Sequence, residues 1–255
     1  MIRSLTVSYT TPPHVPAPYS HHYSLKAEVV GQQVNLEYSI TYTDRDTISL
    51  EEIENEGFTE DDNQQIKAIV GTIWEKPLVD LIAKTTILPE GQHLEDFHDE
   101  VHVDWTTADG KRVQGIPENV TDWQYLVQEL IQATLEQSSQ EQPLTIRYKR
   151  NEKDHSTTLI TLVVKFAQRN AEVNVSGSKA APVLHTLNWE QLRPVLQAVY
   201  APEYYPEKAL ETEPTQTGEF IDSGDGFWYK IGDGVRNLRG QNVLHKLQKQ
   251  FEQWL

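Results

Sequence analysis

Two runs near the start of the chain alternate apolar and polar residues cleanly. Tyr23, Leu25, Ala27 and Val29, then Val34, Leu36, Tyr38, Ile40 and Tyr42, occupy every second position, the period of a strand with one buried face. Gly31-Gln32 lies between them and supplies a tight hairpin turn. Residues 2–9 alternate less regularly, through Ile2, Leu5, Val7 and Tyr9, and predict a short strand. The four prolines of residues 11–22 lack amide hydrogens and predict an extended surface loop. Further on, Val101, Val103 and Trp105 predict a strand that turns at Ala108-Asp-Gly-Lys111 into Val113. Residues 144–148 and 159–166 read as paired strands, 173–175 as a third, and 220–221 with 227–231 as a last hairpin.

Helical spacing marks the rest. Ser49 and Glu52 fit a capping box opening a short helix that Gly57 can end. Ile66, Ile69, Val70, Ile73, Trp74, Leu78, Leu81 and Ile82 form one stripe at helical spacing, predicting a long helix over 59–82, broken near Lys76 by Pro77. Thr121 and Gln124 read as a second capping box, leading a helix with Trp123, Leu126, Val127, Leu130, Ile131 and Leu135 on its face. Further helices are expected around 189–199 and from 243 to the last residue.

The order of elements lacks a regular βαβ alternation, so the fold class is α+β, with mainly antiparallel hairpins packed against amphipathic helices. Two similar-sized regions, 1–137 and 143–255, part at the polar stretch 138–142; a single domain is the alternative. The pattern Trp-x-x-Leu-x-x-x-Leu at Trp123/Leu126/Leu130 recurs at Trp189/Leu192/Leu196 and raises internal duplication as a minority reading.

Composition narrows function more by exclusion. Against 22 Lys+Arg stand 38 Asp+Glu, a formal net charge of −16. Nucleic-acid binding draws its affinity from basic residues neutralising phosphates, and anionic membranes repel such a chain, so the expected partner is a basic protein, with no direct nucleic-acid or membrane contact. There is no Cys, which removes disulfides, thiolate metal sites and cysteine nucleophiles and is compatible with a cytoplasmic location.

The densest set of ligand-type side chains is His93, Glu95, Asp96, His98, Asp99, Glu100, His102 and Asp104. His98, His102 and Asp104 are the candidate ligands of a divalent metal, the one cofactor this chemistry suggests. Alternation of Glu100, His102 and Asp104 with Val101, Val103 and Trp105 reads more simply as the wet face of a strand. Asp222-Ser-Gly-Asp225-Gly has calcium-loop fragments, but no Glu follows at the right distance, and it reads as a turn. Arg147 and Lys149 are expected on a solvated sheet face opposite Ile146 and Tyr148. Tyr204 and Tyr205, bracketed by Pro202 and Pro206, are the candidate aromatic binding pair on a loop. No phosphate loop, HExxH motif or nucleophile elbow occurs. The sequence therefore predicts a non-catalytic interaction protein with an acidic surface. A metal-dependent hydrolase built on 93–104 and an acidic mimic of nucleic acid are the alternatives.

Overall fold

Side chains at every second position need a common partner layer, and the hairpins provide it by stacking their apolar positions into continuous rows. The chain is seen here in a computed structural model that describes residues 2–89, 100–178 and 181–254. It is an α+β protein of antiparallel sheets and helices, and it divides into two compact units, Met1–Gln142 with Phe166–Gln168, and Pro143–Lys165 with Arg169–Leu255.

The first unit runs β1 (Ile2–Thr10), β2 (His21–Val30), β3 (Gln33–Tyr42), α1 (Leu50–Asn55), β4 (Gln64–Gly71), α2 (Glu75–Lys84), β5 (Glu100–Thr107), β6 (Arg112–Gly115) and α3 (Val120–Gln137). Its six-stranded sheet has the order β4-β3-β2-β1-β5-β6, with every pairing antiparallel. The register lines up Trp105, Leu5, Ala27, Leu36 and Ala68 in one row across the sheet, and Val103, Val7, Leu25, Tyr38 and Ile66 in the next. Trp74, Leu78, Trp123, Val127 and Leu130 join these rows in one buried core. Trp105 stacks on Trp123 at 6.2 Å between ring centroids. The indole N–H groups find acceptors, as buried indoles must: Trp123 donates to Thr85 Oγ1 at 2.9 Å and Trp74 to the Ala167 carbonyl at 3.2 Å.

The predicted long helix over 59–82 is replaced by β4, a turn of 3-10 helix at Thr72–Trp74, and α2. Ile66, Ala68 and Val70 face the core at strand spacing, whereas Ile69 and Ile73 are 51% and 54% exposed. Those two outward isoleucines completed a false helical stripe. Pro77 then falls in the first turn of α2, where its missing N–H has no intrahelical role to lose. The second capping box also differs, because α3 starts two residues earlier, at Val120, with Asn119 and not Thr121 in the cap position and no side-chain cap bond. The Ser49–Glu52 capping box is present, and α1 ends with Gly57 at φ +82°, its N–H donating to the Glu54 carbonyl and that of Phe58 to Ile53.

The second unit runs β7 (Leu144–Asn151), β8 (Thr157–Lys165), β9 (Asn170–Gly177), β10 (Val183–Asn188), α4 (Trp189–Tyr200), β11 (Glu203–Tyr204), β12 (Gly218–Asp222), β13 (Tyr229–Lys230), β14 (Val235–Arg236) and α5 (Val243–Glu252). Its main sheet has the order β10-β9-β8-β7-β12-β13, and β11 pairs with β14 in a separate ribbon. Ile146, Tyr148, Ile160, Leu162, Val173, Leu192, Val199 and Phe251 are buried, and Tyr148 stacks on Phe251 at 4.6 Å. The sequence pattern missed β10, whose residues are nearly all exposed and so carry no alternation.

Each unit is thus a four-stranded meander, a helix, a two-stranded hairpin placed on the far side of the first strand, and a closing helix. One connectivity thus occurs twice, and it matches different helices from those the Trp pattern paired. By position α4 corresponds to α2 and α5 to α3, so Trp123 and Trp189 belong to unlike helices, and the residue matching Trp189 at a helix start is Trp74. We expect Leu130→Ala and Leu162→Ala, both fully buried, to cost about 3 kcal/mol each from lost burial and cavity formation, read as lowered urea midpoints.

Candidate functional site

Strand β7 has two faces of opposite chemistry, and both are covered. Ile146 and Tyr148 are buried on the helix side. Arg147, Lys149 and Asn151 alternate with them and meet chain from residues 209–228 on the other side. Lys149 Nζ donates to Glu213 Oε1 at 2.6 Å, and Asn151 Nδ2 donates to the carbonyls of Pro214 and Gln216 at 2.9 and 3.0 Å. The expected solvated face for Arg147 and Lys149 is therefore corrected: Lys149 and Asn151 are buried, because the strap 213–216 lies over them.

Arg147 completes the row. Its Nε and Nη2 donate to Asp222 Oδ2 at 2.8 and 2.5 Å, and its guanidinium lies 4.8 Å from the centroid of the Trp228 ring. Asp222, 2% exposed, accepts from the Gly224 and Gly226 amides through its other oxygen, at 2.9 and 3.1 Å. Asp225 accepts from the Phe227 amide and the Tyr229 hydroxyl, and Tyr200 donates to the Ser223 carbonyl. Burial pushes the phenols of Tyr200 and Tyr229 up to about 12, with nearby carboxylates adding to it. This is a turn locked by its own aspartates, as the Asp-Gly dipeptides suggested: the bonds that a cation ligand would offer go to protein donors.

Tyr204 and Tyr205 lie on β11 and just beyond it, ahead of a turn of 3-10 helix at Pro206–Lys208. Tyr204 is anchored, its hydroxyl donating to the Val199 carbonyl at 2.8 Å and its ring meeting Tyr229 edge-on at 5.2 Å. Burial raises its phenol well above the ordinary range. Tyr205 is more superficial: it donates to Glu203 Oε2 at 2.8 Å and lies under the Arg236 guanidinium at 4.8 Å. The two rings therefore make different contacts.

In the first unit, His102 and Asp104 share the sheet face opposite the core, as strand alternation requires, with His102 exposed. Asp104 is held by Arg112 through two bonds, Nε to Oδ1 at 2.9 Å and Nη2 to Oδ2 at 2.5 Å. These bonds, with a smaller contribution from His102, hold its carboxyl below the ordinary value. His98 lies outside the described residues, as do His93, Glu95, Asp96 and Asp99. Among the described residues no three His, Asp or Glu side chains gather to hold a metal.

Charge divides unevenly between the two units. The first holds 8 Lys+Arg and 25 Asp+Glu, a net −17, and the second 14 and 13, a net +1. Within the first, residues 44–62 carry nine acids and one base, Arg45. Arg45 ties this segment down: its guanidinium lies 4.1 and 4.9 Å from the ring centroids of Tyr42 and Phe58, and Nη1 donates to Thr59 O and Asp62 Oδ2 at 2.9 and 2.7 Å. Burial works to raise the Asp62 carboxyl, but the bonds from Thr59 and Arg45 outweigh it and the net shift is downward. Tyr19 reaches the segment as well, donating to Glu56 and packing edge-on against Phe58. Asp46, Glu51, Glu54, Glu60 and Asp61 remain exposed along it.

No protein-family model, curated protein or solved structure matches the chain.

Two outcomes test these contacts. Asp222→Ala strands the Arg147 guanidinium and frees two amides; we expect a loss of about 3 kcal/mol, with faster amide exchange at Gly224 and Gly226. Because its folded-state carboxyl is held low, Asp104 contributes stability that is present above the ordinary carboxylate range and lost as pH falls through its depressed value. In an NMR titration Arg112→Ala is expected to shift the Asp104 titration upward, because the bonds that hold its carboxyl low are removed.

Proposed function

We propose that the protein is a non-catalytic interaction protein whose first unit presents an acidic surface to a basic protein partner. The observation that carries this reading is the concentration of charge: a net −17 falls on one folded unit while the other is near neutral. Solubility alone does not call for such a division, since scattered charge serves it as well. The segment 44–62 adds order to charge. A capping box and a glycine-terminated end hold α1, and Arg45 clamps the approach to β4, so Glu51, Glu54 and Asp61 are displayed from a fixed backbone. A surface ordered before binding loses less entropy when a partner arrives, and concentrated like charge speeds encounter with the opposite sign.

The same concentration of carboxylates favours one further reading, an imitation of a nucleic-acid backbone. In that case the protein displaces a DNA-binding domain from duplex DNA, whereas a partner that does not bind DNA shows no such competition.

The test uses a lysine-rich peptide as probe, titrated by calorimetry. Binding is expected to weaken at least about tenfold between low and physiological salt. A Glu51→Gln/Glu54→Gln/Asp61→Asn variant should lose most of the affinity, and Glu190→Gln/Glu207→Gln in the second unit should keep it. Binding that ignores both salt and the triple variant would overturn the proposal.

A further inference from the structure

An aspartate followed by glycine is the backbone step most open to rearrangement, because no side chain keeps the glycine amide nitrogen away from the aspartate carboxyl. The nitrogen attacks Cγ, water leaves and a five-membered succinimide forms. Water then reopens the ring at either carbonyl, giving back aspartate or an isoaspartate whose main chain runs through the side chain. The chain has three such steps, Asp109-Gly110, Asp225-Gly226 and Asp233-Gly234, each with an exposed aspartate. Reaction requires the nitrogen to leave its hydrogen bond and the aspartate to turn toward it, so local opening of the fold governs each step.

Two of the steps are tied to buried structure in the second unit. The Gly226 N–H donates to Asp222 Oδ1 at 3.1 Å, and Asp225 accepts from the Phe227 amide at 3.0 Å and the buried Tyr229 hydroxyl at 2.7 Å. Gly234 is itself buried, its N–H donates to the Lys230 carbonyl at 2.8 Å, and Asp233 is paired with Lys208 and Arg236. Asp109-Gly110 stands at the tip of the β5–β6 hairpin with local bonds alone: Gly110 N–H to the Thr107 carbonyl at 2.9 Å, and Thr107 Oγ1 to the Asp109 carboxylate. Both bonds stay within one surface turn, nothing lies within 4 Å of where a Gly110 side chain would be, and β6 is a four-residue edge strand. Ionised carboxylates react more slowly, but Thr107 holds the Asp109 carboxyl low as Lys208 does that of Asp233, so opening and not ionisation separates those two. We infer that Asp109-Gly110 is the isomerisation site of this chain, and that the fold keeps Asp225 and Asp233 in their native form. Isoaspartate adds a methylene to a turn closed by Thr107 N–H on the Lys111 carbonyl, next to Arg112, so the modification loosens the Asp104–Arg112 pair.

Ageing the intact chain in heavy-oxygen water near neutral pH, followed by proteolysis and fragment mass spectrometry, tests it. Each ring opening places one heavy oxygen at the reacting aspartate, whichever carbonyl is attacked. Label at Asp109 is expected to exceed that at Asp225 and at Asp233 by more than about tenfold, with isoaspartate in the Asp109 peptide. In urea the three rates should converge, because the bonds that separate them are gone. Thr107→Val removes the hydroxyl on the Asp109 carboxylate and should raise labelling there while leaving the other two steps unchanged. Asp222→Ala frees the Gly226 amide and should raise labelling at Asp225 but not at Asp233. Folded-state labelling of Asp225 or Asp233 that matches Asp109 would overturn the inference. So would the same ranking in urea, which would place the cause in the flanking residues, or a Thr107→Val chain that labels no faster at Asp109.

Discussion

The carboxylate of Asp222 organises one side of the second unit. One oxygen takes two donors from Arg147 on β7, and the other takes the amides of Gly224 and Gly226. A buried ion pair by itself adds little stability, because removing two charges from water costs nearly what their attraction returns. This one has its remaining hydrogen-bonding capacity met by backbone, which is the condition under which such a pair becomes favourable. It sets the turn that brings Trp228 over Arg147, and Trp228 in turn exchanges two backbone bonds with Leu210. The strap over Lys149 and Asn151 lies in the chain between these anchor points.

The two units share a connectivity and differ in what covers the outer face of the sheet. In the first, that face presents Ser4, Thr6, Ser8, Lys26, Glu37, His102 and Asp104, residues suited to water. In the second, the chain between α4 and β12 supplies the strap and one strand of the ribbon, and the equivalent central strand carries groups that need buried partners. The first unit has its own addition, the acidic segment between β3 and β4. The segment 44–62 adds a net −8 of the first unit's −17.

Much of this was legible in local pattern. The hairpins of β2 with β3 and of β7 with β8, the capped helix α1 and the turn after Asp222 follow from spacing of two, capping chemistry and Asp-Gly turns. The failures share a cause. β4 was read as helix because Ile69 and Ile73 are apolar yet exposed, and β10 was missed because an edge strand with no buried face has no alternation to display. Arg147 and Lys149 were assigned to water because charge on alternate positions looks like a wet face until a distant segment is known to cover it.

The amino-acid sequence alone determined the α+β class, the acidity, the absence of thiol chemistry and most strand positions, because each depends on composition or on neighbours within a few residues. The tertiary structure alone decided which polar groups are buried and which strands stand at the sheet edges. Those properties depend on residues far apart in the chain, 75 positions for Arg147 and Asp222 and 93 for Trp74 and Ala167, and no local periodicity carries information over that distance.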